Sequence, residues 1–144
     1  MSIKLTITNE TVDAYCAHYF TQHPRARKRP IEHPYHPSIN VWFILPRLQL
    51  NALKQKWKDF TVWWLNDIGL ANKKIEKCKM RFVSYYPTKR RVDCDNQIPK
   101  FILDGMVESG FIVDDDSHHL TSLTIECGYN KENPCTEIYI DILQ

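Results

Sequence analysis

Six aspartates fall within the twenty-four residues from Asp93 to Asp116: Asp93, Asp95, Asp104, Asp114, Asp115 and Asp116. Carboxylates repel one another and are costly to gather unless a cation sits among them. Hard oxygen donors of this kind suit Mg²⁺. A basic run, Lys89, Arg90 and Arg91, stands immediately upstream. Basic residues beside a Mg²⁺ site point to a polyanionic substrate whose phosphate the metal would share.

The two outer groups of carboxylates flank one amphipathic segment. Asp93 and Asp95 are two apart, so in an extended backbone both side chains would point the same way and could reach one cation. Pro99 is tolerated in the first turn of a helix, and the spacing predicts a helix from there to about Ser109. Its buried side would carry Ile98, Phe101, Ile102, Gly105 and Met106, and Gly110 would end it. A helix this short can bring Asp114 and Asp115 back beside Asp93 and Asp95. Simpler roles compete. Asp95 or Asn96 could cap the helix, Lys100 and Asp104 could form an i,i+4 surface pair, and the three later aspartates could be a solvated turn. A calcium loop counted from Asp93 would need glycine sixth and usually glutamate twelfth; Ile98 and Asp104 stand there instead, so that reading fails.

The elements around this segment read as an α+β domain, a single two-layer unit over residues 1–144 with helices packed on one mixed sheet. Ile3, Leu5 and Ile7 alternate as in a short strand. Residues 21–38 hold four prolines, three histidines and the cluster Arg25, Arg27, Lys28 and Arg29. So many prolines predict an extended or looped basic arm. From about Leu48 to Ile68 the period changes to that of a helix, with Leu50, Leu53, Trp57, Phe60, Trp64 and Ile68 on one stripe and Gly69 at its end. Residues 75–86 carry β-formers, and Pro87 stops them. Leu123, Ile125 and Cys127 alternate, as do Ile138, Ile140 and Ile142. The turn-rich sequence between them predicts a C-terminal hairpin.

The net charge is +2, but without the six aspartates of the segment the rest carries +8. A basic body with one concentrated acidic patch is the pattern of a metal-dependent nucleic-acid enzyme, and equally of a small protein with one solvated acidic loop. Five cysteines, odd in number and without C-x-x-C spacing, suggest a reduced, cytoplasmic chain. No apolar run approaches a membrane span, and the first residues lack the apolar core of a signal peptide.

The string D-C-D-N followed by K-F-I-L-D-G-M-V-E-S-G-F-I-V-D-D resembles the core signature of RusA-type Holliday junction resolvases, especially the phage-encoded members. The likeness extends upstream to P-S-I-N-V-W (Pro37 to Trp42) and downstream through the last two strands, leaving residues 1–36 outside it. The resemblance implies a homodimeric, Mg²⁺-dependent endonuclease, with Mn²⁺ able to stand in, that cuts four-way or other branched DNA in recombination and repair. Asp93 and Asp95 match the D-x-D pair. Lys100 matches the lysine before the helix once a small loop insertion is allowed. Asp115 matches the third essential carboxylate, with Asp114 as the alternative ligand. These residues would hold one or two Mg²⁺ ions at the scissile phosphate and leave a 5′-phosphate and a 3′-hydroxyl. Asp104 and Asp116 would stand outside the cradle.

DNA contacts are expected from Lys89, Arg90, Arg91 and Asn96 beside the site and from Arg25, Arg27, Lys28 and Arg29 on the arm. A C₂ dimer suits a junction with two equivalent strands to cut. The tryptophan-rich helix (Trp57, Trp63, Trp64) would serve the core and part of the interface. Three rival readings stand beside this one: a branched-DNA-binding protein without cleavage, another Mg²⁺-dependent branched-DNA nuclease, and a zinc module built from Cys16, His18, His23, His33 and His36.

Overall fold

The computed structural model describes residues 1–144 and confirms an α+β domain with one four-stranded mixed sheet. Strand β1 (Ser2–Thr8) leads directly into helix α1 (Asn9–Gln22). Thr8 caps that helix: its hydroxyl accepts from Thr11 N–H at 3.2 Å, and Thr8 N–H donates back to the Thr11 hydroxyl at 3.1 Å. A short helix α2 (Ile39–Trp42) precedes the long helix α3 (Arg47–Asp67). Strand β2 (Cys78–Tyr86), helix α4 (Lys100–Glu108), strand β3 (Leu120–Tyr129) and strand β4 (Cys135–Ile142) complete the chain.

The sheet order is β1-β4-β2-β3. Strand β4 lies antiparallel between β1 and β2, whereas β2 and β3 run parallel with α4 in their connection. One face carries Leu5, Ile7, Met80, Phe82, Ile138 and Ile140, all buried in the core with Trp57, Phe60 and Trp64 of α3 and Phe101, Ile102 and Met106 of α4. The opposite face is polar: Lys4 pairs with Glu137 and Arg81 with Glu126, and the Arg81 guanidinium lies 4.1 Å from the Tyr139 ring centre. A sheet with one covered face is the two-layer arrangement, and it explains the period-2 alternation of its strands.

Several details differ from the sequence expectation. Strands β3 and β4 are not a hairpin, because β2 lies between them. Neighbouring strands are about 4.8 Å apart, so the turn-rich residues 130–134 must span two such spacings over the end of β2. Asn130 N–H donates to the Tyr86 carbonyl there, at 2.9 Å. Helix α1 was not expected at all. Strand β2 begins at Cys78 rather than at residue 75, and Ile75 instead makes an isolated parallel bridge to Ile112.

Residues 21–38 are mostly looped, as expected, but lie as a strap against the core. The first two belong to α1, and Pro30, Ile31, Pro34 and His36 are buried. The Thr136 hydroxyl donates to the Pro34 carbonyl at 2.7 Å, and the Cys16 thiol donates to the Ile31 carbonyl at 3.5 Å. Trp57 and Trp64 are 4% and 2% exposed, so they are core and leave no surface for an interface. All five cysteines are free thiols. No helix is long and apolar enough to cross a membrane.

Candidate metal and nucleic-acid site

The loop leaving β2 carries the first two aspartates. Pro87 has no N–H to continue a ladder, and the chain turns away from the sheet. Tyr86 anchors the far side of the loop by donating its hydroxyl to Gln97 Oε1 at 2.8 Å. Asp93 is extended, but Cys94–Asn96 form one 3-10 turn, closed by Asn96 N–H to the Asp93 carbonyl at 3.0 Å. The two carboxylates are therefore not presented by strand alternation. Both are exposed, and neither accepts a hydrogen bond or joins an ion pair within the chain. Neither Asp95 nor Asn96 caps α4, whose preceding residue, Pro99, offers no side-chain bond.

The cap comes from the strap. Phe101 N–H donates to His36 Nε2 at 3.0 Å, while His36 Nδ1 donates to the Pro37 carbonyl at 2.8 Å. An orphan amide of the first helical turn is satisfied by a residue 65 positions earlier in the sequence. Burial pushes the His36 pKa down to about 4, so the imidazole stays neutral, with its proton on Nδ1. The buried face of α4 is as expected except for Ile98, which precedes the helix and is 37% exposed.

Lys100 opens α4 and reaches two of the later aspartates. Its Nζ lies 2.9 Å from Asp104 Oδ1 and 3.8 Å from Asp115 Oδ2. The hydrogen bond to Asp104, helped by the charge of Asp115, raises the lysine pKa and keeps it cationic. The i,i+4 pair is thus real, and Asp115 joins it. Gly110, at φ 77°, reverses the chain after α4, and buried Phe111 and Ile112 carry the aspartate run back along the core.

That run divides. Asp115 faces Lys100, whereas Asp114 and Asp116 fold around their own turn. Asp114 Oδ1 accepts from Asp115 N–H at 2.7 Å. Asp116 Oδ1 accepts from His118 N–H at 3.0 Å, His119 N–H at 3.2 Å and His119 Nδ1 at 2.7 Å. These donors, the imidazole first, lower the Asp116 pKa. The ligand atoms of Asp114, Asp116 and His119 lie within 4.8 Å of one another, the one trio of this kind. Asp93, Asp95 and Asp115 do not form such a group. The zinc module fails: Cys16, His18, His23, His33 and His36 do not converge, and both ring nitrogens of His36 are engaged.

The basic residues divide too. A groove of about 980 Å³ lies between the strap, α3 and the loop after β2. Lys28, Arg29, Arg90 and Arg91 line it with Asp93 and Asn96. Arg25, Arg27 and Lys89 do not; Lys89 lies over the Tyr129 ring at 5.3 Å. Arg29 is also tied to Asp13 at 2.7 Å. Sequence reasoning missed Lys56, Tyr35 and Tyr86, which share these walls, and placed His33 only in the zinc module. The run of lysines on α3 was the available signal for Lys56; nothing local marked the two tyrosines. No protein-family model matches the chain, and no curated protein matches it.

Proposed function

We propose that this chain is a Mg²⁺-dependent endonuclease acting as a dimer on four-way or other branched DNA, in the manner of the RusA-type resolvases that residues 93–115 resemble. The observation that carries the reading is the meeting of two surfaces. The basic groove includes Asp93, and the free carboxylates of Asp93 and Asp95 occupy the loop that feeds directly into the Lys100–Asp115 pair. Carboxylates hinder DNA binding unless a cation offsets them, so their place on a basic surface argues for a metal.

Asp93 and Asp95, which have no partner within the chain, are the oxygen donors with lone pairs to give; the resemblance makes Asp115 the third, although the three carboxylates do not all lie within 4.8 Å of one another. A bound Mg²⁺ supplies a lowered pKa for its water and a counter-charge for the phosphate. Lys100 places a point charge where negative charge develops on the phosphate oxygens, and Asp104 fixes the direction of that ammonium. Arg90 and Arg91 hold the backbone of the strand, and Lys28 on the strap extends the contact.

A second reading of the metal cradle rests on the trio of Asp114, Asp116 and His119, whose mixed carboxylate and imidazole donors suit Mn²⁺ better than Mg²⁺. The two readings separate in one assay, cleavage of a four-way junction and of linear duplex with and without Mg²⁺. Asp93→Asn and Asp95→Asn should each lower cleavage by at least about 100-fold, with junction binding unchanged or tighter. His119→Ala should leave cleavage within a few-fold. Loss of cleavage in His119→Ala alone would move the cradle to the later trio. Equal cutting of both substrates would remove the junction from the proposal, and no cutting by the wild type with Mg²⁺ would leave a DNA-binding protein.

A further inference from the structure

The groove contains a pile of aromatic rings that the cleavage chemistry does not use. The Tyr86 hydroxyl is held by Gln97, and the Tyr35 ring packs against Tyr86 with centres 4.7 Å apart at 60°. His33 lies on Tyr35 with the ring planes only 4° from parallel and the centres 5.0 Å apart. Each ring braces the next, from the end of β2 outward, and the last, His33, is exposed. Its ring nitrogens make no hydrogen bond within the chain. Around it, Lys28, Lys56, Arg90 and Arg91 line the same groove, and none has a carboxylate within 4.0 Å.

We propose that this groove binds an unpaired stretch of DNA strand, one base stacking on the His33–Tyr35 platform while the unpaired cations hold the flanking phosphates. The inference rests on the reading that the substrate is DNA and specifies which part of it the strap touches. A fixed ring offering its face can meet only a base that has left the helical stack, because paired bases present edges to the grooves. The cations come from three elements, the strap, α3 and the loop after β2, as suits a backbone tracking through rather than one isolated phosphate. The volume fits a few nucleotides of one strand; small-ligand pockets span about 300–1,000 Å³. Branched DNA supplies unpaired bases at its crossover.

The test is fluorescence anisotropy of a labelled six-nucleotide oligothymidylate and of a blunt duplex, with the full chain in EDTA so that no metal or cleavage is involved. His33→Ala should weaken the oligothymidylate at least about fivefold and the duplex less than about twofold. His33→Phe should restore single-strand binding, since it keeps an aromatic ring and removes the ring nitrogens. His33 is exposed, so neither change threatens the core. Unchanged oligothymidylate binding in His33→Ala, or equal loss on both probes, overturns the platform. Because cleavage is not read, a failed nuclease assay leaves this result standing, and a failed platform leaves the nuclease reading standing.

Discussion

His36 Nε2 accepts the backbone N–H of Phe101 across 3.0 Å, which ties a histidine of the proline-rich strap to the first turn of the helix that carries Lys100. The ring is 4% exposed and packs against Phe101 and Trp57, with ring centres at 4.9 Å and 5.5 Å. The contact joins the two halves of the candidate site: the strap that lines the groove and the helix that presents the lysine.

This geometry makes stability depend on pH. His36 titrates near 6.5 in the unfolded chain and near 4 in the fold, because burial disfavours the imidazolium more than the Pro37 carbonyl and Asp104 favour it. Between these values the unfolded state binds the extra proton, so stability rises with pH through the window. The contribution is complete above pH 6.5 and is lost as the pH falls towards 4, a loss of the order of 3 kcal/mol. Urea unfolding should show this fall in the wild type. His36→Gln should be less stable at pH 7 by about 2 kcal/mol, with the two curves converging or crossing by pH 4. Parallel curves would show that His36 does not carry the dependence.

Much of this architecture was readable from local pattern, and the failures have physical causes. Helix α3 was visible because Trp57, Phe60 and Trp64 recur at helical spacing and all three are buried. Helix α1 was not, because its inner face offers only a short stripe, Val12, Tyr15 and Cys16 with Phe20 partly buried beside it, set among polar residues. The Thr8–Thr11 cap was a signal for it. Turn residues at 128–134 announced a reversal without revealing that β2 would occupy the space between the two arms. At the site, the shortness of α4 was read as returning Asp114 and Asp115 to Asp93 and Asp95, whereas Asp115 comes to Lys100 instead. The separate turn of Asp114, Asp116 and His119 depended on backbone amides that residue types do not specify. The His33–Tyr35–Tyr86 pile depends on how the strap lies against β2, a contact between distant parts of the sequence.

The packing of α4 on α3 supplies a second test. Gly105 sits where a Cβ would approach Thr61 Cβ to 2.5 Å and Thr61 Cγ2 to 2.8 Å. Thr61 cannot swing away freely, because it is buried and its hydroxyl donates to the Trp57 carbonyl at 2.8 Å. Alanine is favoured over glycine inside a helix by about 1 kcal/mol. Here the clash should outweigh that preference. Gly105→Ala should lower stability by about 1–3 kcal/mol, seen as a lower urea midpoint at unchanged slope. A raised midpoint would mean that the two helices can part at little cost.

The dimer proposed for the nuclease needs a surface, and the buried Trp57 and Trp64 of α3 do not offer one. Four of the exposed large apolar residues lie at the junction of α2 and α3: Val41, Phe43, Ile44 and Leu48 are 55%, 73%, 79% and 84% exposed. Four large apolar side chains within eight residues form the kind of patch that a lone domain does not normally leave to water. Joining this patch to its counterpart in a second copy would bury it by a two-fold operation, which also sets two active sites on one junction. Phe43→Asp with Ile44→Asp should convert a dimer to a single chain of 17.1 kDa in sedimentation equilibrium. Because both residues are exposed, the monomer should lose less than about 1 kcal/mol of its own stability. Junction cleavage by the variant should give single nicks in place of paired cuts. A wild type that sediments as one chain at tens of micromolar would remove the dimer and with it the coordinated pair of cuts.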